Sequence, residues 1–357
     1  MNRKTTLLIF ITFIALLLTS CSNKGPEIIE EEPKPSIEEP AVEDPIVEEP
    51  IVEEPVVEIP DGIRSPLSGL YGDEELVNGR IMTIVFDNHP AARWQAGLKY
   101  AEVVYEFQVE APYTRYVGLY LINAPESIGP VRSARPYLVE IAQEFDGIFV
   151  HVGGSEQAKK DVRTYNIAEI DGLTSPASVF WRNSSKKAPN NLYTNMEVLR
   201  ESAENKKFRE SSEYEGYVFA EDDFTYTGEK AEIIEIKYNS TNSTKYEYDK
   251  DKMNYIRYKD GKHHIDELDE SNIIANNIII QETTTRVLDN LGRIEVKTIG
   301  SGEGTFITKG VALPIKWVKE SRDKRTYYYD LEGNEIKLSP GVTWIQVINQ
   351  NSSMNIQ

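Results

Sequence analysis

The sequence predicts an α+β fold in which an N-terminal α/β domain, a sheet covered by helices, is followed by a mostly β domain. Three observations predict it. Strand-like and helix-like segments alternate in the first half of the folded region, and short strand-like segments separated by turn sequences fill the second half. Hydrophobic residues make up 40% of the 357, which is enough to build two cores.

Element types in the first domain, residues 63–218, follow from hydrophobic periodicity. Short apolar runs without helical spacing predict strands at residues 80–86, 101–109, 116–122 and 148–152. Three helices are predicted between or after these strands. They start at Pro136, at the N-cap Ser155, and at the capping box that joins Thr194 to Glu197.

The second domain, residues 219–350, is predicted to consist almost entirely of strands. Asp-Gly at 260–261 and Glu-Gly-Asn at 332–334 mark turns between them. The candidate strands cover residues 233–238, 245–248, 255–258, 273–281, 293–299, 304–308, 315–319, 326–329 and 342–347. The polar residues 351–357 are predicted to form a frayed tail.

Residues 1–20 are typical of a signal peptide. Two basic residues precede an apolar run from Leu7 to Leu18, which is shorter than the roughly 20 residues that span a bilayer. The next residues, Leu-Thr-Ser-Cys at 18–21, resemble the lipobox of bacterial lipoproteins. This resemblance implies cleavage before Cys21, diacylation of that cysteine, and an extracytoplasmic protein anchored to the cell membrane. A structural cysteine is the alternative.

Residues 21–62, which begin with the lipidated cysteine, are predicted to be an extended acidic tether. Proline recurs every five residues from Pro40 to Pro60, and acidic pairs precede four of these prolines. The segment is expected to be extended, because proline prevents helix formation and like charges repel. At ~3.1 Å per residue, its maximum length is ~120 Å. A spacer between the membrane and the folded region is the favoured interpretation, with an acidic peptide ligand as the alternative.

The charge of the chain is unevenly distributed. It carries 39 basic and 58 acidic residues, a formal charge of −19, of which residues 22–62 contribute −12. This balance argues against nucleic acid as a partner, because nucleic-acid binding depends on clustered basic residues. The folded region is only mildly acidic, so it can still contain a local basic site.

Two arginines and a serine, Arg132, Ser133 and Arg135, lie at a predicted loop-to-helix junction. Helix N-terminal amides carry partial positive charge, and each guanidinium can bind an oxyanion through two N–H groups. Arg115, near the start of a predicted strand, is expected to converge on them. The sequence thus predicts a phosphate or carboxylate site. Structural ion pairs are the alternative for each arginine, with the candidate partners Glu106, Glu110 and Glu140.

Two further loops are candidates for ligand contact. After a predicted strand, His151-x-Gly153-Gly154-Ser155 allows close backbone approach and offers N–H groups, although it lacks P-loop spacing. A second loop is polar and basic and has aromatic residues at both ends, which suits sugar or polyanion contact. Its candidate residues are Arg182, Lys187 and Asn191.

Catalytic motifs are weak in this sequence. It contains no G-x-S-x-G elbow and no metal-ligand spacing, so no metal site and no cofactor are predicted. Asp87 follows one predicted strand and Glu106 lies in another, which makes them candidates for an acid/base role or, under a transferase alternative, for Mg²⁺ binding. His263 and His264 follow a turn and are expected to be solvated.

Motifs across the folded region resemble those of the YerB-like lipoproteins, envelope proteins of Gram-positive bacteria built from an uncharacterised two-part domain. The motifs are Phe86-Asp87-Asn88-His89-Pro90, Val104-Tyr105-Glu106, Thr114-Arg115, residues 129–135, His151-x-Gly153-Gly154-Ser155 and residues 188–194. The resemblance implies an envelope lipoprotein and transfers no activity. The chain departs from the family pattern at Asn190, where a histidine is expected, and at residues 111–113, where a glycine pair is expected.

The first half also resembles the LytR-CpsA-Psr phosphotransferases, which attach anionic glycopolymers to peptidoglycan. The shared pattern is an arginine-bearing strand end, a helix, and a strand that leads into Gly-Gly. This resemblance is one of pattern alone, and similarity of fold does not establish activity.

Three functions are consistent with these observations. The favoured one is a membrane-anchored lipoprotein that binds an anionic envelope component, a wall polymer or a lipid-linked precursor, through its arginines. The alternatives are a scaffold that docks another envelope protein through the β domain, and a phosphodiester or glycopolymer transferase. The sequence leaves open whether the chain is an enzyme.

Overall fold

The computed structural model describes residues 61–221 and 224–357. The predicted signal peptide, Cys21 and all but the last two residues of the predicted tether lie outside the described residues. The helices are α1 (Glu74–Val77), α2 (Pro136–Glu144), α3 (Glu156–Thr164) and α4 (Met196–Asn205), with short 3-10 turns at Pro90–Ala92 and Leu98–Tyr100.

Strands account for most of the remaining regular structure. In the first half they are β1 (Ile63–Arg64), β2 (Tyr71–Gly72), β3 (Met82–Asp87), β4 (Val103–Gln108), β5 (Thr114–Tyr120), β6 (Ile148–His151), β7 (Glu169–Asp171), β8 (Trp181–Arg182) and β9 (Leu192–Tyr193). In the second half they are β10 (Glu229–Lys230), β11 (Ile233–Asn239), β12 (Asn242–Asp249), β13 (Asn254–Lys259), β14 (Lys262–His263), β15 (Ile274–Ala275), β16 (Asn277–Thr283), β17 (Thr285–Val287), β18 (Ile294–Val296), β19 (Gly300–Thr308), β20 (Val311–Lys319), β21 (Tyr327–Tyr329), β22 (Thr343–Asn349) and β23 (Ser353–Ile356).

Strands from both halves of the chain form one large sheet. Among the described residues its order is β10-β20-β19-β16-β22-β4-β5-β3-β6-β7, with β21 paired to β20. β16, β22 and β4 are parallel neighbours, as are β3, β6 and β7, and β5 runs antiparallel between β4 and β3. These six parallel strands therefore all end at the same edge of the sheet, which we call the carboxyl edge.

Each face of the large sheet is covered by a different layer. The second sheet, β14-β13-β12-β11-β23 with β15 on β13, packs on one face together with α4. On that face Tyr246 and Tyr255 of the second sheet share a core with Trp344 of the large sheet. The other face is covered by α2 and α3, through residues such as Leu138 and Val162. The large sheet is thus buried on both sides.

The α+β prediction with a mostly β second half is confirmed. The predicted strand at 273–281 is two strands, β15 and β16, which belong to different sheets. The predicted N-cap Thr194 is wrong, because the side chain of Asn195 accepts from the amide of Val198 (2.9 Å), while the Thr194 hydroxyl donates to the Val179 carbonyl (2.8 Å). The predicted frayed tail is also wrong, since β23 pairs with β11. The predicted boundary at 218/219 stays a prediction, and it separates halves that share one sheet.

A buried ion network joins the two halves. Glu106 of β4 and Arg257 and Lys259 of β13 are fully buried, and Glu106 accepts from Arg257 at 2.5 Å with Lys259 at 3.5 Å. The Thr114 hydroxyl donates to the same carboxylate at 2.7 Å. Burial acts to raise the pKa of Glu106, but Lys259 and Arg257 outweigh it and hold the pKa below its ordinary value. Glu106 is therefore an ionised group that holds the second sheet against the large one.

His264 completes this network. It is fully buried, its Nδ1 faces a guanidinium nitrogen of Arg257, and its Nε2 lies 2.9 Å from the side-chain oxygen of Gln95. Burial, followed by Arg257 and Lys259, lowers the pKa of His264 well below its ordinary value, so the imidazole is neutral. The expectation of a solvated His264 is wrong, because the chain after the β13 turn folds back onto Trp94 and Tyr116.

Glu106→Gln is predicted to cost about 3–5 kcal/mol of unfolding free energy, because it leaves two buried cations without a counter-charge. Urea denaturation measures this. The control is Glu247→Gln, which removes the partner of Lys245 in a partly exposed pair and should cost under ~1 kcal/mol. Equal costs for the two variants would show that the buried network does not stabilise the junction.

Candidate functional site

The carboxyl edge of the large sheet gathers the polar residues that the sequence singles out. Asp87 ends β3, His151 ends β6 and Asp171 ends β7. Arg115 enters β5 directly opposite Asp87 in the antiparallel register. Ligands of α/β sheets commonly bind outside the carboxyl ends of the strands, so this edge is the candidate site.

The segment 130–134 is held against the same edge by backbone hydrogen bonds. The Arg132 amide donates to the Val85 carbonyl of β3 (2.9 Å), and the Arg132 carbonyl accepts from the Val152 amide just beyond β6 (3.1 Å). The Ala134 amide donates to the Gly153 carbonyl (2.9 Å). The segment therefore lies across the ends of β3 and β6, which places the Arg132 side chain beside Asp87.

Arg115, Arg132 and Arg135, which we call the arginine cluster, surround two carboxylates. Arg132 Nε lies 3.2 Å from Asp87 Oδ2. Arg135 Nε donates to Glu110 Oε1 at 2.5 Å, and Arg115 Nη2 contacts the other oxygen of Glu110 at 3.4 Å. The expectation that the three arginines converge is thus met by the geometry, and each of them has a carboxylate partner.

Like charges in the cluster act on one another. Burial lowers the pKa of Arg115 to about 10, and Arg135 and Arg132 add to this while Glu110 and Asp87 oppose it. Burial acts to raise the pKa of Glu110, but Arg115 and Arg135 outweigh it and lower the pKa. Within the cluster, three guanidinium groups share two carboxylate partners, so these contacts only partly offset the repulsion among the arginines, in a place where charge is costly to bury.

Arg132 differs from the other two arginines in having an open guanidinium. Arg115 Nη1 donates to the Ser133 carbonyl (2.7 Å) and Arg135 Nη1 to the Ala134 carbonyl (2.7 Å). Within the described parts of the chain, no group accepts from either Nη of Arg132 or from the Ser133 hydroxyl. The Arg132 side chain is 25% exposed. Because a guanidinium carries five N–H donors, Arg132 can bind an anion while it still contacts Asp87.

The predicted glycine loop makes several contacts with neighbouring parts of the chain. The Gly153 amide donates to Asp171 Oδ1 (2.7 Å), and Gly153 has a φ of +58°, which favours glycine. A Cβ on Gly154 would lie 3.0 Å from that of Ala134. The Ser155 hydroxyl caps α3 by accepting from the Ala158 amide (3.3 Å). These contacts are made within the chain, and contact of this loop with a ligand stays a prediction.

His151 is buried and both of its ring nitrogens face oxygen atoms. Nε2 lies 2.9 Å from Glu169 Oε2, and Nδ1 lies 2.8 Å from the Gly153 carbonyl. Its ring packs on Phe149 with centroids 4.7 Å apart. The imidazole therefore holds β6, β7 and the glycine loop together, and its contact with a ligand stays a prediction.

The basic loop reaches the cluster through Asn190, a residue that the sequence interpretation did not select. Asn190 Nδ2 donates to Asp87 Oδ2 at 2.6 Å. Asn191 is buried, accepts from Arg182 Nη1 (2.7 Å) and donates to two backbone carbonyls of its own loop, so Arg182 and Asn191 shape the loop. Lys187 is exposed three residues before Asn190, and its contact with a ligand stays a prediction.

Asp87 and Glu106 do not act as a pair. Asp87 contacts Arg132 and Asn190, whereas Glu106 is enclosed in the ion network with Arg257 and Lys259. An acid/base or Mg²⁺-binding role for Glu106 stays a prediction, and its full burial does not support it. Among the described residues, no group of three or more histidine, cysteine or acidic side chains is arranged to hold a metal ion.

Two residues of the site escaped selection for different reasons. The sequence indicates Glu110 only as a candidate ion-pair partner, although its place before the turn at 111–113 puts it just beyond the end of β4. In the sequence, Asn190 stands out only as a departure from the family pattern. Three surface cavities of about 570, 340 and 480 Å³ are lined by other residues than the arginine cluster.

Glu110→Gln is predicted to lower the thermal midpoint at pH 7, because it leaves Arg115 and Arg135 without their shared counter-charge. The pKa of Glu110 is lowered in the folded state, so its stabilisation is complete above its ordinary pKa of about 4.3 and is lost as the pH falls through the lowered value. Melting curves from pH 7 to pH 3 should therefore show the wild-type and variant midpoints converging.

The matched control for this measurement is Glu295→Gln, which removes the partner of Arg286 in an exposed pair. Its midpoint should differ little from that of the wild type at any pH. A wild-type advantage over Glu110→Gln that persists unchanged at pH 3 would contradict the assigned ion pairs.

In the described part of the chain, no helix has the length and apolar character needed to cross a bilayer.

Two family models match the sequence, the N-terminal domain of a protein of unknown function (DUF3048) over residues 67–209 and the C-terminal domain of the same family over residues 234–345.

The chain is 32% identical over 289 residues to a Bacillus subtilis (strain 168) protein named "Putative lipoprotein YerB". The aligned region covers 80% of this chain and 86% of that protein. It is also similar to a crystal structure of the YerB protein from Bacillus subtilis, with a TM-score of 0.75 and 31% identity over 82% of this chain and 99% of that chain. The chain therefore belongs to the YerB-like DUF3048 family.

Proposed function

We propose that the chain is an extracytoplasmic lipoprotein, anchored to the cell membrane through Cys21, whose arginine cluster binds an anionic group of a cell-envelope component. The lipobox-like sequence at 18–21 and the lipoprotein name of the Bacillus subtilis relative support the anchor. The anionic component is a wall polymer or its lipid-linked precursor, both of which offer phosphate or carboxylate groups outside the membrane.

One observation carries the binding part of this proposal: Arg132 presents open N–H groups at the surface of a cluster that has one more cation than anions. Arg115 and Arg135 are held by Glu110 and by backbone carbonyls, so they set the local potential. Arg132 then supplies the direct contact. An entering oxyanion relieves repulsion among three guanidinium groups and receives a charge-assisted pair of hydrogen bonds.

The neighbouring groups fit this arrangement. The Ser133 hydroxyl is next to Arg132 in the chain, and Lys187 is an exposed base in the loop whose Asn190 contacts Asp87. The other carboxylates of this edge are already bonded, Glu169 to His151 and Asp171 to the amides of Gly153 and Leu173. Among the described residues, neither of these carboxylates pairs with the Arg132 guanidinium.

The transferase alternative assigned the base or Mg²⁺ ligand to Asp87 or Glu106. It gains no support from the geometry, because Glu106 is enclosed and Asp87 already contacts Arg132 and Asn190. The alternative of a protein scaffold is compatible with an apolar projection in the second half, described below. Binding of an anion at Arg132 is the function that the site supports best.

The test is calorimetric titration of soluble polyglycerol phosphate into residues 21–357 that carry Cys21→Ser. Arg132→Gln is expected to weaken binding by roughly ten- to a hundredfold, because it removes a charge-assisted contact. Arg132→Lys keeps the charge but loses the planar fork, and should give an intermediate affinity.

Arg286→Gln is the matched control, since Arg286 is exposed in β17, and it should bind within twofold of wild type. Equal affinity of wild type and Arg132→Gln would overturn the proposed function. The single substitution is preferred to a double one at Arg132 and Arg135, because loss of Arg135 also leaves Glu110 short of a partner.

A further inference from the structure

A two-stranded arm, residues 284–298, carries apolar side chains at its tip. It consists of β17, β18 and the turn between them. Its strands pair with each other and belong neither to the large sheet nor to the second sheet. At the turn, Val287, Leu288 and Leu291 are 66%, 54% and 73% exposed. Clustered exposed apolar side chains on a soluble body mark a contact surface.

The turn holds these side chains in a fixed arrangement. Asp289 Oδ1 accepts from the amides of Leu291 (3.0 Å) and Arg293 (3.3 Å), and Asp289 Oδ2 pairs with Arg293 Nε at 2.5 Å. The Leu288 amide donates to the Arg293 carbonyl at 2.7 Å. Because the polar groups of the turn bond to one another, the leucines have no partner in the turn and project from it.

The arm contacts the helical layer at its base, where the Thr298 hydroxyl donates to the Glu140 carboxylate of α2. A cavity of about 480 Å³ lies between the rest of its two strands and that helix. Its base is fixed to the large sheet, where Asn349 at the end of β22 donates to the Thr285 hydroxyl at 2.7 Å. An ideal Cβ on Gly292, in the turn, would lie 4.0 Å from the Ala111 amide, next to Glu110 of the arginine cluster. The tip and the cluster therefore lie at the same edge of the molecule.

The charge of the arm differs in sign from that of the chain. Three basic residues, Arg286, Arg293 and Lys297, stand against Asp289 and Glu295, which gives +1, whereas the chain carries −19. Both acids are paired with arginines of the arm. An anionic surface would repel most of this protein, but it would not repel the arm.

We propose that the arm docks on the anionic surface of the lipid bilayer, with Val287, Leu288 and Leu291 entering the headgroup and acyl boundary. The choice of a bilayer rests on the proposed membrane anchor and on size. A stable protein interface buries about 800 Å² on each partner, which three side chains on one turn do not offer. Shallow insertion of a few apolar side chains beside basic residues is sufficient for an interfacial contact that supplements a lipid anchor.

Docking at this point has a consequence for the candidate site. Since the tip lies beside the turn at 111–113, the arginine cluster would be brought close to the lipid headgroups. An anionic group attached to a lipid would then meet Arg132 at the membrane surface, while the tether still connects the body to its anchor.

The test is flotation of residues 21–357, with Cys21→Ser to remove the acyl chains, on vesicles of phosphatidylglycerol and phosphatidylcholine. The wild type is expected to float with these vesicles, and the triple variant Val287→Asn, Leu288→Asn, Leu291→Asn should partition at least about tenfold less. The matched control replaces three exposed apolar residues elsewhere, with Leu70→Asn, Met253→Asn and Leu331→Asn, and should float like wild type.

A second measurement uses the fact that Cys21 is the one cysteine of the sequence. An environment-sensitive fluorophore on Leu291→Cys should shift to shorter wavelength with vesicles, and the same label on Leu331→Cys should not. Flotation of the arm variant equal to wild type, no flotation of wild type, or identical responses of both labels would each overturn the proposal.

Failure of this inference is distinguishable from failure of the proposed function. Arg132→Gln should still float on these vesicles, and the arm variant should still bind polyglycerol phosphate in solution. An arm variant that lost polymer binding and kept its vesicle partition would contradict the assignment of the tip to the membrane.

Discussion

The buried carboxylate of Glu106 is the contact on which the arrangement of this protein depends. It lies in the middle of the large sheet, and it is neutralised by Arg257 and Lys259 from the second sheet. Burying a carboxylate or two cations separately would be strongly unfavourable, so the two sheets are stable against each other only with these groups in register. The guanidinium of Arg257 also lies 4.2 Å above the Trp344 ring, which adds a cation–π contact inside the same junction.

This junction fixes one edge of the molecule. Because β22 of the second half pairs in parallel with β4 of the first, the strand ends of both halves meet at the carboxyl edge. The charges around Glu106 are fully enclosed, whereas the guanidinium of Arg132 in the arginine cluster is partly exposed. That contrast separates a structural ion network from a candidate binding site better than the identity of the residues does, since both contain arginines paired with glutamates.

The sequence was sufficient for the local elements but not for their long-range partners. The strands β3, β4 and β6, the helix α2 and the cap at Ser155 could be predicted because their signals lie within a few residues. The split at Asn276 could not, since a continuous apolar run gives no sign that its two parts join different sheets. Likewise, the pairing of Glu106 with Arg257 spans 151 residues, and no local pattern marks a glutamate in a strand as buried rather than catalytic.

The convergence of Arg115 on Arg132 and Arg135 could be anticipated, because strand ends and a helix start tend to meet at one edge. The ion pairs with Glu110 and the hydrogen bond from Asn190 could be identified only from the three-dimensional arrangement.

The central claim is that an anion binds at Arg132 within the arginine cluster. Its most direct measurement is a titration of inorganic phosphate followed by the NMR signals of arginine side-chain Nε–H groups. The account predicts saturable shifts for Arg132, smaller ones for Arg115 and Arg135, and none for the exposed Arg286. Unchanged signals from the cluster would contradict it. So would shifts of the cluster arginines that equal those of Arg286 and increase linearly with ionic strength.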